Sequence, residues 1–382
     1  VVHRQGTLEG VEMKAAAHPN AELFGGVYRG RRVLVTGHTG FKGSWLALWL
    51  QQLGASVCGL ALPAQGRLNH SRLLQLPLDE ALVDLRDAGM VRNALRRFEP
   101  ELVFHLAAQP LVRRGYRDPA VTFDTNVMGL VHLLEAVRAT PSVRVVVNAT
   151  TDKCYRNAGD GRAFRETDPL GGQDPYSASK ACAELVSASY RASFLAQDDG
   201  RGRPVALATA RAGNVIGGGD WGEDRLIPDL VRAATGAAPT LIRHPGAVRP
   251  WQHVLEPLAG YLCLGQQLLD DPQAAAEAWN FGPPPDGHLR VQQVIEAFAQ
   301  AWPAVRYAFD GGMHPHEAAQ LHLDCSKAEQ RLNWRAVWDL PTTLQRSAWW
   351  YRRQHERGDL SSQEDLQQYV ADARDRGLAW AA

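Results

Sequence analysis

The 382-residue chain sets 41 Lys and Arg against 41 Asp and Glu, a balance that argues against broad binding to nucleic acid or to an anionic membrane surface. Hydrophobic residues reach 45%, enough core for two domains or for one domain with a large appendage. No apolar run is long enough to span a bilayer, no signal-peptide pattern opens the chain, and Cys58, Cys154, Cys182, Cys263 and Cys325 are scattered without a Cys-x-x-Cys pair, so a cytoplasmic protein with reduced thiols is expected.

Residues 1–27 are polar, mixed and aperiodic, and read as a loose extension. Arg31–Thr36 then reads as a buried strand, followed by a glycine turn and a helix through Trp45 to Leu53. Ser56–Ala61, Val103–Ala108, Val143–Asn148 and Pro204–Ala210 continue the strand series, with helical periodicity between them. Two long helices are expected, about Asp118–Ala139 and Pro175–Gln197, with apolar faces suited to pairing across a two-fold axis. Continuous apolar strands alternating with helices predict a parallel sheet covered on both faces. After Arg211 the pattern changes at Gly217-Gly-Gly219 and Pro283-Pro-Pro285, with short strands such as Thr240–Arg243 and helices such as Val291–Ala301. The expected architecture is α/β: a Rossmann-like doubly wound parallel sheet over residues 28–210, with a return segment near 250–275. A smaller C-terminal α/β substrate-binding lobe and the terminal helices take residues 211–382. The cleft should lie at the carboxyl ends of the strands.

Gly37-His-Thr-Gly-Phe-Lys-Gly43 sits between the first strand and the first helix. A helix that starts just after a glycine turn offers free N–H groups and a positive dipole end, where a diphosphate docks. Gly37 permits the turn, Gly40 a close approach, and Gly43 the packing of helix on sheet. The spacing is G-x-x-G-x-x-G, against the G-x-G-x-x-G of the usual dinucleotide fingerprint. The second strand, in Val57-Cys-Gly-Leu-Ala-Leu62, has no Asp or Glu near its end to hold a ribose. Asp84 stands in for the adenine end, and the choice between NAD and NADP is open on these residues.

Asp174-Pro-Tyr-Ser-Ala-Ser-Lys180 opens with an N-cap residue and a proline at the first helical position. Tyr176 and Lys180 then share one helix face. A free tyrosine has a pKa near ~10, too high for a base at neutral pH. A nearby ammonium and a positive nicotinamide favour its phenolate. Upstream, Thr151 is placed to hydrogen-bond the oxygen that Tyr176 works on. Asp152 and Lys153 add the acid and base that eliminating water from a sugar requires. A dehydrogenase or an epimerase needs only the hydroxyl and the tyrosine.

On these residues the chain resembles the extended short-chain dehydrogenase/reductase family, and within it the CDP-glucose 4,6-dehydratases. The resemblance runs from about Tyr28 to the C-terminal helices. It rests on Thr36-Gly-His-Thr-Gly-Phe-Lys-Gly-Ser-Trp45, Thr151-Asp-Lys-Cys-Tyr155 and the Tyr176–Lys180 run. Further marks are Arg211-Ala-Gly-Asn-Val-Ile-Gly-Gly-Gly-Asp-Trp221, Arg249-Pro-Trp-Gln-His-Val254 and His314-Pro-His-Glu-Ala318. Thymidine-diphosphate relatives carry Asp-Glu where this chain has Asp152-Lys153. The resemblance implies an NAD-dependent, redox-neutral conversion of CDP-glucose to CDP-4-keto-6-deoxyglucose in deoxysugar biosynthesis, by a homodimer or homotetramer. In it Tyr176 takes the 4-hydroxyl proton and Asp152 protonates the departing 6-hydroxyl. Lys153 is either the C5 base or the group that stabilises the enolate. Cofactor contacts are implied for Gly37, Thr39, Gly40, Phe41, Gly43, Asp84, Leu85, Leu106, Ala107, Ala108, Tyr176 and Lys180, and substrate contacts for Asn214 and Arg249.

His314, His316, Glu317 and His322 follow His-Glu-x-x-Gln rather than the zinc pattern His-Glu-x-x-His, so no metal is expected. Two other readings fit parts of this pattern. A nucleotide-sugar 4-epimerase would leave Asp152-Lys153 unused, and a non-catalytic dinucleotide-sensing protein would need neither Tyr176 nor Lys180.

Overall fold

The computed structural model describes residues 20–196, 204–236, 238–284, 287–310, 312 and 321–382. Among them the strands run in chain order β1 (Arg32–Thr36), β2 (Ser56–Ala61), β3 (Asp79–Leu82), β4 (Leu102–His105), β5 (Val145–Ala149), β6 (Ala206–Ala212), β7 (Asn214–Ile216), β8 (Thr240–Ile242), β9 (Val248–His253), β10 (Ala278–Phe281), β11 (His288–Arg290) and β12 (Tyr307–Phe309). Seven of them form one sheet in the order β10-β6-β5-β4-β1-β2-β3, and every pairing in it is parallel.

Alternation along these strands builds two cores. Val33, Val35, Phe104, Val145, Val147 and Ala208 face one side, while Leu34, Val103, Val146 and Leu207 face the other. Helices Ala88–Phe98, Gly129–Arg138 and Pro175–Tyr190 cover the second face. Helices Phe41–Gln52 and Leu255–Asp270 cover the first, where the C-terminal aromatic residues Trp334, Trp350 and Tyr369 join them. Being packed on all sides, Phe41–Gln52 buries every residue from Gly43 to Leu50.

The chain steps outward from β1 to β3, then returns to lay β4 on the other side of β1. Loops leaving β1 and β4 therefore diverge, and a crevice opens at their carboxyl ends. The smaller sheets, β11-β9-β7 and β12-β8, stand beyond that edge.

Several boundaries differ from the sequence expectation. The fourth strand stops at His105, because Leu106 and Ala107 turn their N–H groups onto the Thr36 hydroxyl at 3.1 Å. The expected Asp118–Ala139 helix is broken into Pro119–Phe123, a wide turn at Asp124–Met128, and Gly129–Arg138. That turn carries Asn126, which bonds both backbone groups of Gln109 and the Ser179 hydroxyl. Of the extension expected at 1–27, residues 1–19 lie outside the described residues. Asn20–Val27 is packed rather than loose: Phe24 stacks on Trp380 with centroids 5.0 Å apart, and Asn20 bonds Gln52 at 2.8 Å.

Glu256 ties the sheet-covering helix to the C-terminal lobe. It is fully buried, and it accepts from the Val337 N–H at 2.9 Å, the Trp338 N–H at 2.7 Å and the Tyr369 hydroxyl at 2.7 Å. Glu256→Leu strands two backbone donors and a phenol, and is expected to cost about 3 kcal/mol or more. A urea titration that left the unfolding midpoint unchanged would contradict this.

Candidate active site

A cleft of about 2180 Å³ opens at the carboxyl edge of the sheet. The glycine turn forms its floor. Gly37 has φ of 74°, and a Cβ there would lie 2.8 Å from the Ala107 nitrogen. A Cβ on Gly43 would lie 2.1 Å from the Gly37 carbonyl oxygen. Gly40 is less constrained, its nearest such contact being 3.2 Å. As the N-cap it supplies no side-chain acceptor, so the first-turn N–H groups of the helix are left for a ligand. The space that added Cβ atoms would fill, against an uncapped helix end, fits the diphosphate of a dinucleotide. Thr39, Phe41, Leu85, Leu106, Ala107 and Ala108 line the same cleft.

In the same cleft the Arg86 guanidinium lies 2.7 Å from the Asp84 carboxylate and holds that carboxyl below the usual range. After β2 the cleft is lined by Ala61, Leu62, Pro63, Ala64 and Gln65, so the missing ribose carboxylate is not supplied by this segment. Glu80, on the neighbouring strand β3, is engaged by His38 at 2.8 Å.

Asp174 caps the helix Pro175–Tyr190 by accepting from the Ser177 N–H at 3.0 Å. The cap starts the helix where Tyr176 and Lys180 face the end of β5. Lys180 donates to the Ala149 carbonyl at 3.2 Å, and the Thr151 hydroxyl lies near enough the Tyr176 phenol to draw its pKa down. Burial pushes the phenol up to about 12, against the pull of Thr151 and of the Arg225 charge. Burial also lowers Lys180 to about 8, opposed by the Glu184 charge. In the protein alone, therefore, desolvation outweighs the groups that favour the phenolate. His105 is driven down to about 3 by burial and then by the Lys180 charge, so its ring is neutral. The Thr36 hydroxyl, already accepting two N–H groups, donates to His105 Nδ1 at 2.7 Å. That chain of bonds fixes the Leu106–Ala108 wall.

Asp152 does not line the cleft. Its carboxylate is fully buried just behind the wall, with Oδ1 accepting from Thr151 at 3.0 Å and from the Lys153 ammonium at 3.2 Å. Its Oδ2 has no hydrogen-bond partner and lies 3.3 Å from the place of a Cβ on Gly213. Lys153 is half-buried, lines the cleft, and also reaches Asn214 Oδ1 at 3.3 Å. Asn214, on β7, and Arg249, on β9, both line the cleft. Of the histidine group only His322 is described, and its ring lies 4.4 Å from that of His288. Among the described residues no cluster of three or more His, Cys, Asp or Glu is placed to hold a metal. No described helix is long and apolar enough to cross a membrane.

Over 328 residues the chain is 47% identical to the CDP-glucose 4,6-dehydratase of Salmonella typhimurium, a match covering 85% of this chain and 91% of that one. The chain belongs to the CDP-glucose 4,6-dehydratase family. Residues 34–197 also match the broader GDP-mannose 4,6 dehydratase family. Among solved structures, the fold is similar to the UDP-glucose 4-epimerase of Thermus thermophilus in complex with NAD, at TM-score 0.72 and 26% identity over 84% of this chain and 99% of that one. It is also similar to the dTDP-glucose 4,6-dehydratase of Streptomyces venezuelae with NAD bound, at TM-score 0.71 and 27% identity over 86% and 98%.

Sequence reading missed two cleft cations of this family member. Lys42 hides inside the glycine turn, where its ammonium lies 3.4 Å from the Tyr261 hydroxyl. Burial, then the Arg225 and Lys180 charges, lower it to about 7. Arg225 precedes an apolar helix and is paired with Asp220 at 2.9 Å. Lys42 stands in the first turn of one helix and Arg225 takes the N-cap position of another, and neither position signals a cleft cation until the fold gathers them.

Gly43→Ala sets a methyl group against the Gly37 carbonyl and pushes the helix end away from the turn. Dinucleotide binding, followed by quenching of protein fluorescence, should be lost. Wild-type affinity in that variant would contradict the assigned cradle.

Proposed function

We propose that this chain converts CDP-D-glucose to CDP-4-keto-6-deoxy-D-glucose and water on bound NAD, a step that supplies deoxysugar units. One observation carries the reading: beside the Tyr176–Thr151 pair stands Asp152 with Lys153, one carboxyl and one amine 3.2 Å apart. An epimerase has no work for that second pair. The 47% identity to a CDP-glucose 4,6-dehydratase supports the base and the sugar. NAD rather than NADP is supported by the cleft after β2, where no Lys or Arg lines the wall between Ala61 and Asn69.

Tyr176 takes the proton of the sugar 4-hydroxyl, with Thr151 holding the same oxygen. NAD, held by the glycine turn and the Leu106–Ala108 wall, would supply the hydride acceptor for C4 and the hydride donor for C6. The ketone formed at C4 acidifies the C5 proton. Lys153 removes it after passing its own proton to Asp152, and in this reading Asp152 turns its carboxyl from behind the wall into the cleft to protonate the departing 6-hydroxyl. C5 is then reprotonated from Lys153, and the 4-hydroxyl proton held by Tyr176 returns to Lys153 through solvent, so atoms and electrons balance with loss of one water. Lys180 orients the cofactor ribose. Arg225 and Arg249 face the diphosphate, for which guanidinium forks are suited, and Asn214 holds Lys153 and the sugar.

In this reading residues 28–210, with a return near 250–275, bind the cofactor, and residues 211–382 bind the sugar nucleotide. Two copies pair through the helices around Pro119–Arg138 and Pro175–Tyr190. Support comes from Phe123, Met128, Leu185 and Phe194, which leave apolar side chains on that face 36 to 59% exposed.

Incubation with CDP-glucose and its UDP, dTDP and GDP counterparts, read by mass, tests the reaction. CDP-glucose should lose water fastest, and Tyr176→Phe should slow it by about a hundredfold to ten-thousandfold. CDP-glucose unchanged, while another sugar nucleotide loses water, would refute the base preference. Lys153→Met should abolish deuterium wash-in at C5 while sparing oxidation at C4. Unchanged exchange in that variant would remove Lys153 from the C5 step.

A further inference from the structure

Tyr176 and Lys180 are followed, one helical turn on, by Glu184. The four-residue spacing sets all three on one face of the helix Pro175–Tyr190. Glu184 is 4% exposed, and both of its oxygens are engaged. Oε1 accepts from the Thr150 hydroxyl, and Oε2 accepts from Thr209 Oγ1 at 2.7 Å and from Arg211 Nη2 at 2.8 Å. Thr150 is the residue before Thr151, so the carboxylate grips the strand end that delivers the hydroxyl to Tyr176. Arg211 extends the network, donating to the Tyr155 phenol at 2.8 Å and to the Glu166 carbonyl at 3.1 Å.

Such a pair is a poor device for stability. Burying both charges costs desolvation that their attraction barely repays, and well-packed apolar side chains of similar size often do as well. Its position behind the catalytic lysine points to another role. We propose that Glu184 is a positioning residue for the dehydration: through Thr150 it fixes the strand end bearing Thr151, and its charge holds the Lys180 ammonium at the site. The inference rests on the roles assigned above to Tyr176, Thr151 and Lys180.

The charged and titratable groups acting on Lys180 come from four elements: Glu184 on its own helix, Cys154 after β5, His105 on β4 and Lys42 on the first helix. His105 is neutral and Cys154 is a buried thiol with its pKa pushed well up. Glu184 is left as the anion that offsets burial. Glu184 is itself faced by Arg211 from β6 and by Arg191 from the end of its own helix.

The test is the pH dependence of kcat/KM, measured beside thermal unfolding. Lys180 works as the cation, so activity falls as pH rises through its pKa. Glu184→Gln should move that alkaline limb down by about one pH unit. Glu184→Asp, which keeps the charge, should restore it. Arg211→Gln opens the same ion pair but leaves the carboxylate, so its limb should stay or move up even where its stability falls. Parallel losses of activity and unfolding temperature in Glu184→Gln and Arg211→Gln, with both limbs unmoved, would reduce Glu184 to a structural residue and overturn the proposal. Should Glu184→Gln not fold, Arg211→Gln against Glu184→Asp decides: a limb moved down in Arg211→Gln rejects the charge role. Tyr176→Phe is the control for the underlying reading, because full activity there would remove that reading and not merely the part assigned to Glu184.

Discussion

The approach of one stretch of backbone to another governs this molecule. Helix Phe41–Gln52 starts so near the turn before it that the Gly37 carbonyl occupies the space of any side chain at 43. The approach aims uncapped amides at one point of the crevice between β1 and β4. Every later part of the site is registered to that point. The Thr36 hydroxyl at the same strand end gathers two N–H groups from the next loop and a neutral histidine. The end of β5 is in turn bound to the helix that carries Tyr176, through Lys180 to Ala149, Glu184 to Thr150 and Ser187 to Asn148. One hydrogen bond per turn leaves helix and strand little freedom to slide.

The C-terminal lobe completes the cleft from behind. Tyr351 donates to the Gly217 carbonyl at 3.1 Å and the Asp220 carbonyl at 2.6 Å. A Cβ on Gly218 would overlap the Trp350 ring at 2.0 Å. The glycine run after β7 is thus a contact surface for terminal aromatics, which press it toward the catalytic wall. Asp220, next to this run, also holds Arg225, so a cation of the cleft is positioned by a helix more than a hundred residues away. The two lobes therefore share one polar and aromatic fabric, with Glu256 as its buried joint.

Much of this was legible in the residues because their local signals were strong. Continuous apolar runs marked the inner strands, and the glycine spacing together with Asp174-Pro-Tyr marked both functional helix starts. The edge strand β3 escaped because Asp79-Glu80-Ala81-Leu82 is mostly exposed and has no apolar run. β10 escaped because it pairs with β6 from far along the chain, a contact that local pattern does not encode. The wide turn at Asp124–Met128 depends on Asn126 finding partners on two other elements. Asp152 was expected beside the sugar, yet it lies behind the wall with Lys153 over it, a difference of depth that residue order does not carry. Glu184 and Lys42 looked like ordinary helix residues, and their environment alone makes them otherwise.

The electrostatics of the cleft set an order of events. Lys42, Lys153, Lys180, Arg225 and Arg249 converge on one opening, although the whole chain is neutral. Such local concentration attracts a ligand with several phosphates. These cations still do not ionise Tyr176, because burial costs the phenolate more than they return. A phenol held near 12 keeps its proton in the protein alone, and a base appears only when further positive charge and a hydrogen-bonded hydroxyl reach it. A site so arranged couples proton removal to occupancy. Deprotonation ahead of binding would leave a buried phenolate whose desolvation Thr151 and Arg225 do not offset.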